Sequence, residues 1–185
     1  TQGLPGGAIP IPGQGPQNEA LSIDWAWTGD PQSPEVLVIS SGLHGIEGYA
    51  GSAVQLELLA HNPTTPTLWV HALNPYGMAH WRRVNTNNVD LNRNFLPPGE
   101  EYRGCEPNYQ LLDPILNPPT PPGWDWFWPR VGLVLARKGF RALKNAVACG
   151  QYDYPRGIFY GGDRLQAEAI AALELFTQQL SGKKK

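Results

Sequence analysis

The chain has 185 residues, enough for one ordinary domain with a buried core and too few for a multidomain machine. Hydrophobic residues make up 41% and charged residues only 16%, which excludes a wholly disordered chain. The formal charge is −2 and three of the 14 basic residues are the terminal Lys183, Lys184 and Lys185, so the body is more acidic still and a nucleic-acid footprint is disfavoured.

Residues 1–17 are rich in Gly, Pro and Gln and read as an irregular surface arm. Ala20 to Thr28 alternates, with Leu21, Ile23, Trp25 and Trp27 on one side, as an edge or half-buried strand does. Val36-Leu37-Val38-Ile39 is a continuous apolar run, expected of a strand covered on both faces of a parallel sheet. Residues 48–60 follow with helical spacing that places Ala50, Ala53, Val54 and Leu58 on one face, and Thr67 to Leu73 reads as a second buried strand. Together they form a βαβ unit. Residues 97–123 hold a second dense proline patch and read as irregular. Residues 131–148 and 163–180 show helical spacing, the latter opened by Asp163 and closed by Gly182. No internal repeat is found.

No apolar run approaches the roughly 20 residues a spanning helix needs, and Thr1 to Gly15 lacks the layout of a signal peptide. Cys105 and Cys149 stand far apart with no CxxC spacing, so neither a disulfide framework nor a thiolate metal site is suggested, and a cytoplasmic location is expected.

Two parallel strands end at the same edge of their sheet, and open α/β sheets place ligands beyond that carboxyl edge. After the first strand comes Ser40-Ser41-Gly42-Leu43-His44-Gly45-Ile46-Glu47-Gly48. After the second come Asn74-Pro75-Tyr76-Gly77, Trp81-Arg82-Arg83 and Asn88-Val89-Asp90-Leu91-Asn92-Arg93-Asn94-Phe95. These loops are expected to converge. His44 and Glu47 offer an imidazole nitrogen and a carboxylate oxygen that suit zinc, on a Gly-flanked loop able to bend around an ion. The bland alternative is a histidine bonded to a nearby carbonyl and a solvated first-turn acid. Arg93 lies in an Asn/Asp-rich loop where a guanidinium can fork onto a carboxylate or phosphate, and Arg82 or Arg83 could stabilise an oxyanion. The alternative here is a surface turn with solvated arginines.

His44-Gly45-Ile46-Glu47-Gly48, His71-Ala72-Leu73-Asn74-Pro75-Tyr76-Gly77, Arg82-Arg83-Val84-Asn85 and Val89-Asp90-Leu91-Asn92-Arg93-Asn94-Phe95, in that order, resemble the zinc metallocarboxypeptidase (carboxypeptidase A-like, funnelin) family. The likeness is to its poorly characterised bacterial branch, related to the succinylglutamate desuccinylase and aspartoacylase enzymes. Gly150-Gln151-Tyr152 and Gly157-Ile158-Phe159-Tyr160-Gly161-Gly162 extend it over about residues 35–180. The resemblance implies an α/β fold: a mostly parallel or mixed sheet flanked by helices in three layers, α/β/α. It implies His44 and Glu47 as two of three zinc ligands, Asn92 and Arg93 holding a substrate carboxylate, and either Arg82 or Arg83 polarising the scissile carbonyl. The implied reaction is zinc-dependent hydrolysis of a peptide or acyl-amino-acid amide near a free carboxylate.

The chain departs from the family in its later part. The family's third ligand is a downstream histidine followed by Thr-Gly, and no histidine follows His80. The family's catalytic glutamate also has no counterpart, since Glu168 and Glu174 belong to an expected amphipathic helix. The sequence reads as an incomplete metallocarboxypeptidase-like domain over 18–182, with a Lys tail. Catalytic zinc takes three protein ligands and water, so two alone hold metal weakly. His71, inside the second strand, is expected to be a satisfied buried imidazole rather than a ligand.

A sheet lacking later central strands bares an edge, for which self-association or a complementing chain is the expected remedy. Peptide or acyl-amino-acid substrate is the other expected partner; nucleic acid and membrane are not expected. Two further readings stay open. One is a non-catalytic carboxylate-binding module; the other is an aromatic interaction or sugar-binding surface at Trp124-Asp125-Trp126-Phe127-Trp128, for which a plug packed onto the domain is the bland reading.

Overall fold

The computed structural model describes residues 3–61, 63–118 and 126–184. In chain order its elements are β1 (Gly6–Gln14), β2 (Ala20–Thr28), β3 (Leu37–Ser40), α1 (Gly48–Ala60), β4 (Thr67–His71), α2 (Pro75–Ala79), a 3-10 turn at Leu91–Arg93, α3 (Tyr109–Leu116), α4 (Phe127–Lys138), α5 (Phe140–Ala148) and α6 (Ala167–Gln179). They divide into two compact units, residues 1–87 with 165–185, and residues 88–164.

The first unit is built on a four-stranded mixed sheet of order β1-β2-β4-β3. β3 and β4 run parallel with Leu37 opposite Thr67 and Ser40 opposite Val70, and α1 crosses between them, so the expected βαβ unit is present. β2 lies antiparallel to both β1 and β4. It is therefore an interior strand, not an edge. The edge on that side is β1, formed by the segment expected to be an irregular arm: Gly6 to Ile11 pairs residue for residue with Ala26 to Leu21. Proline is tolerated there because an edge strand can leave one side of its backbone unpaired, and Pro10 sits in that outer strand.

One sheet face packs on α6. Ile23, Trp27, Leu68 and Val70 alternate onto it and meet Ala171, Ala172 and Leu175 of the helix, whose small alanines let it approach closely. Each large aliphatic residue buried there contributes roughly 1.5–3 kcal/mol. Trp27 Nε1 donates to Gln179 Oε1 at 2.9 Å, which ties the end of α6 to β2. The other face carries α1, giving three layers, α/β/α, within this unit. The fold is thus α/β, a mixed sheet flanked by helices.

α1 is turned opposite to its apolar pattern. Val54 and Leu58 are exposed, at 58% and 43%, while Gly48 and Gln55 are buried. Close fit decides this. A Cβ on Gly51 would stand 2.8 Å from Ser41 Cβ, so the glycines let the helix sit against the loop after β3. Gln55 then inserts its amide, donating to the carbonyls of Ile39 and Val70 at 3.0 Å each.

In the second unit the proline patch includes a helix, α3, with Pro114 inside it. Tyr109 at its start is fully buried and donates its hydroxyl to Ile158 O. The helix expected over 131–148 is two, α4 and α5, separated at Gly139, whose φ of 79° is readily available only to glycine. Trp126 and Trp128, expected to plug onto the domain, are 62% and 78% exposed; Trp124 and Asp125 lie outside the described residues. The terminal lysines, expected to be a solvated tail, are docked: Lys183 Nζ donates to Pro31 O, and Lys184 bonds Pro34 O through its amide and Glu35 through its ammonium. Lys185 lies outside the described residues. Among the described residues no helix is long and apolar enough to cross a membrane.

Candidate metal and carboxylate sites

The loop from Ser41 to Glu47 leaves the carboxyl end of β3 and is fixed by backbone contacts. Gly45 N donates to Arg83 O and Ile46 N to Arg82 O, at 3.3 and 3.1 Å. Gly45 packs directly on α2: a Cβ there would stand 2.0 Å from Gly77 C and 2.2 Å from Met78 N. Only glycine fits. α2 is held in turn by Asn74, which is fully buried, accepts from Gly77 N at 2.8 Å and donates to Arg83 O at 3.1 Å. Asn74 is a positioning residue; its place after a buried strand and before proline was a legible cap signal, but its bond to Arg83 was not.

On this frame His44 Nδ1 lies 3.2 Å from Glu47 Oε2, and Arg83 Nη1 lies 3.3 Å from Glu47 Oε1. Glu47 precedes the first turn of α1 but makes no cap bond with its side chain, leaving the carboxylate to the histidine and the arginine. The His44 side chain is 13% exposed and that of Glu47 63%, so the pair opens to solvent on the acid's side. Arg82 is exposed, and its side chain makes no hydrogen bond or ion pair among the described residues. The structure thus brings His44, Glu47 and Arg83 together, with Arg82 alongside in sequence and turned outward.

The other histidines are engaged elsewhere. His61 bonds Glu57 O and His80 bonds Gln14 O. His71, at the end of β4, is half-buried with Nδ1 3.2 Å from Ser41 Oγ. Among the described residues no group of three or more His, Cys, Asp or Glu side chains could hold a metal ion. His44 and Glu47 therefore fit a zinc ion as two donors of the three a catalytic site uses, and the donor set is not complete.

Asn92 and Arg93 belong to the second unit. Asp90 and Asn94, fully buried, do the structural work of this motif: Asp90 caps the 3-10 turn through Asn92 N, and Asn94 Nδ2 donates to Gly161 O and Arg164 O. Asn92 is exposed and Arg93 half-buried. Arg93 lies across Gly150, where a Cβ would come within 2.7 Å of its Cδ, and Nη2 donates to Ala148 O at 2.8 Å. Its Nε is buried with no hydrogen-bond partner. A buried guanidinium N–H left unpaired is costly. Tyr152 donates to Arg93 O at 2.9 Å; burial pushes its phenol up against the opposing Arg93 charge, so it stays a proton donor.

No curated protein matches the chain. Among solved structures, it is similar to an aspartoacylase family protein from Mesorhizobium loti, at 26% identity and a TM-score of 0.35, over 54% of this chain and 32% of that one. It is also similar to thrombin activatable fibrinolysis inhibitor, at 13% identity and a TM-score of 0.44, over 97% of this chain and 40% of that one. The chain thus spans well under half the length of either. A family model described as a protein of unknown function (DUF2817) matches residues 3–185, and the chain belongs to that family.

Proposed function

We propose that this chain carries the substrate-binding and metal-donor residues of a zinc-dependent hydrolase of peptide or acyl-amino-acid amide bonds next to a free carboxylate. The observation that carries this reading is the pairing of His44 and Glu47 at 3.2 Å on the glycine-fixed loop after β3. His44 and Glu47 would hold the ion, which when bound supplies a Lewis acid. Arg83 holds the Glu47 carboxylate, leaving exposed Arg82 the freer guanidinium to meet a carbonyl oxygen. Arg93, half-buried, and exposed Asn92 would hold the substrate carboxylate. The third zinc ligand and the general base would come from polypeptide outside these 185 residues. Isothermal titration of the purified chain with zinc tests the donor pair. Weak, one-to-one binding that disappears in His44→Ala supports it; the absence of any difference between wild type and His44→Ala rejects it.

A second reading, a non-catalytic module that binds carboxylates, is supported by the incomplete donor set together with the unpaired Arg93 Nε. It predicts binding of an N-acyl amino acid that survives chelation of metal and is lost in Arg93→Ala.

The expected self-association has a specific geometry. β3 ends the sheet, and Leu37 and Val38 on it are 47% and 37% exposed. The amides of Leu37 and Ser41 bond toward β4, so by alternation those of Val38 and Ser40 face away. Two outward residues spaced two apart are self-complementary about a two-fold axis at Ile39, pairing Val38 with Ser40 of a second copy. Sedimentation should show concentration-dependent dimers that Val38→Pro abolishes; a wild-type chain that stays monomeric at 100 μM or so rejects this.

A further inference from the structure

Beside α1, the sheet face opposite α6 holds a concavity of about 620 Å³, within the volume range of small-molecule sites. Its floor is β1, β2 and β4 and one wall is α1. Leu4, Leu56, Leu59 and Trp69 supply apolar surface, while Asp24 and His71 stand opposite each other across β2 and β4. Neither the metal-donor pair nor Arg93 contributes to it.

The hydrogen bonds around this concavity fix which polar groups remain. Gln55 spends both amide hydrogens on Ile39 O and Val70 O, so its Oε1 is an acceptor. Ser41 Oγ therefore donates its one hydrogen to Gln55 Oε1, at 2.8 Å. With that hydrogen committed, Ser41 Oγ can only accept from His71 Nδ1 at 3.2 Å. The neutral imidazole is thus the Nδ1–H tautomer, and Nε2, which has no partner among the described residues, carries the lone pair. Trp69 spends its indole N–H on Thr28 Oγ1 at 2.9 Å, leaving its ring as apolar surface. Asp24 accepts one hydrogen bond, from Ser22 Oγ to Oδ1 at 2.7 Å, which leaves Oδ2 available. Among the described residues no Lys or Arg lines the concavity.

What remains is one carboxylate oxygen and one imidazole lone pair, side by side at the edge of an apolar hollow, with the Ser52 hydroxyl, able to donate or accept, on the α1 wall. We infer that this concavity binds a primary ammonium group carried on an apolar body, the ammonium donating to Asp24 Oδ2 and His71 Nε2 and the apolar part lying against Leu56, Leu59 and Trp69. A carboxylate or phosphate would meet the Asp24 charge with no cation to offset it. A neutral apolar molecule would leave both acceptors facing its surface.

The test is calorimetric titration of the chain at pH 8 with 2-phenylethylamine, 2-phenylethanol and 3-phenylpropionate, which share an apolar body and differ in the polar end. The amine should bind saturably, one to one, and the alcohol and the acid at least tenfold more weakly. Asp24→Asn should weaken the amine at least tenfold and narrow its advantage over the alcohol. Asp24 is exposed and among the described residues its side chain bonds Ser22 alone, so this variant is expected to fold, which circular dichroism checks. Leu56→Arg, at another exposed position, places a cation on the wall and should weaken the amine without loss of fold. The inference is overturned if the amine shows no saturable binding at millimolar concentration. It is equally overturned if the alcohol binds as tightly, which would make the hollow an apolar berth with no charge preference, or if Asp24→Asn leaves the amine unaffected.

Discussion

Replacing Gly45 by alanine tests the frame that holds the metal-donor pair. The added Cβ would stand 2.0 Å from Gly77 C and 2.2 Å from Met78 N, both backbone atoms, so no side chain can swing aside. Reaching ordinary contact at 3.4 Å requires the loop and α2 to part by roughly 1.4 Å at that point. The bonds from Gly45 N to Arg83 O and from Ile46 N to Arg82 O, already 3.3 and 3.1 Å long, would not survive such a shift. Losing two hydrogen bonds costs about 1 kcal/mol each, and overpacking a fitted contact adds about 1–3 kcal/mol. The sum, on the order of 3–5 kcal/mol, corresponds to a fall in Tm of roughly 10 °C for a chain of this size. Differential scanning calorimetry of Gly45→Ala, with Gly132→Ala as the control, is the assay. Gly132 lies inside α4 with nothing within 4 Å of its would-be Cβ, and its replacement should be neutral or stabilising by up to about 1 kcal/mol. A Gly45→Ala protein melting within about 2 °C of wild type would refute the steric argument and with it the fixed loop.

Other outcomes follow from the same packing. Asn74→Ala removes the α2 cap and the bond to Arg83 O, and should lower stability by about 1–3 kcal/mol in urea titration, with Asn74→Asp recovering only the cap. Gln55→Leu removes the amide bonds to Ile39 O and Val70 O and the acceptor of Ser41 Oγ, while Val70 O keeps its bond from Ser41 N, and should cost about 1–3 kcal/mol by the same measurement, although leucine is the more apolar residue. Among the cysteines, burial first, and then the Asp153 charge, pushes the Cys105 thiol up, whereas Cys149 is exposed. A raised thiol pKa lowers the thiolate fraction at a given pH, so at pH 8 Cys149 should react with a disulfide reagent faster than Cys105, as peptide mapping of a time course would show.

Much of the first unit was legible because its signals are local. The helical stretch 48–60 and the run from Thr67 report a helix and a covered strand through spacing alone, and the parallel pairing of β3 with β4 follows from the helix between them; the apolar run 36–39 marked a strand but not its cover, since β3 ends the sheet with Leu37 and Val38 exposed. The strand in the Gly/Pro-rich arm was not legible. Gly6 to Gln14 has little intrinsic strand preference, and only the exposed ladder offered by β2 makes it a strand. The break between α4 and α5 at Gly139 was signalled by a glycine within a helical pattern, a signal that spacing alone overrode.

For the candidate sites, residue type and order name the donors but not their engagement. That His44 and Glu47 suit a metal, and Arg93 an anion, is chemistry carried by the side chains themselves. That Glu47 is shared between His44 and Arg83, that Arg93 keeps one buried N–H unpaired, and that α1 turns Gln55 inward and Val54 outward depend on distances between segments far apart in the chain. Sequence fixes what each group can bond, whereas the tertiary structure alone decides which partners are close enough to use those bonds, because hydrogen bonding and close packing act over a few ångströms and sequence separation says nothing about that range.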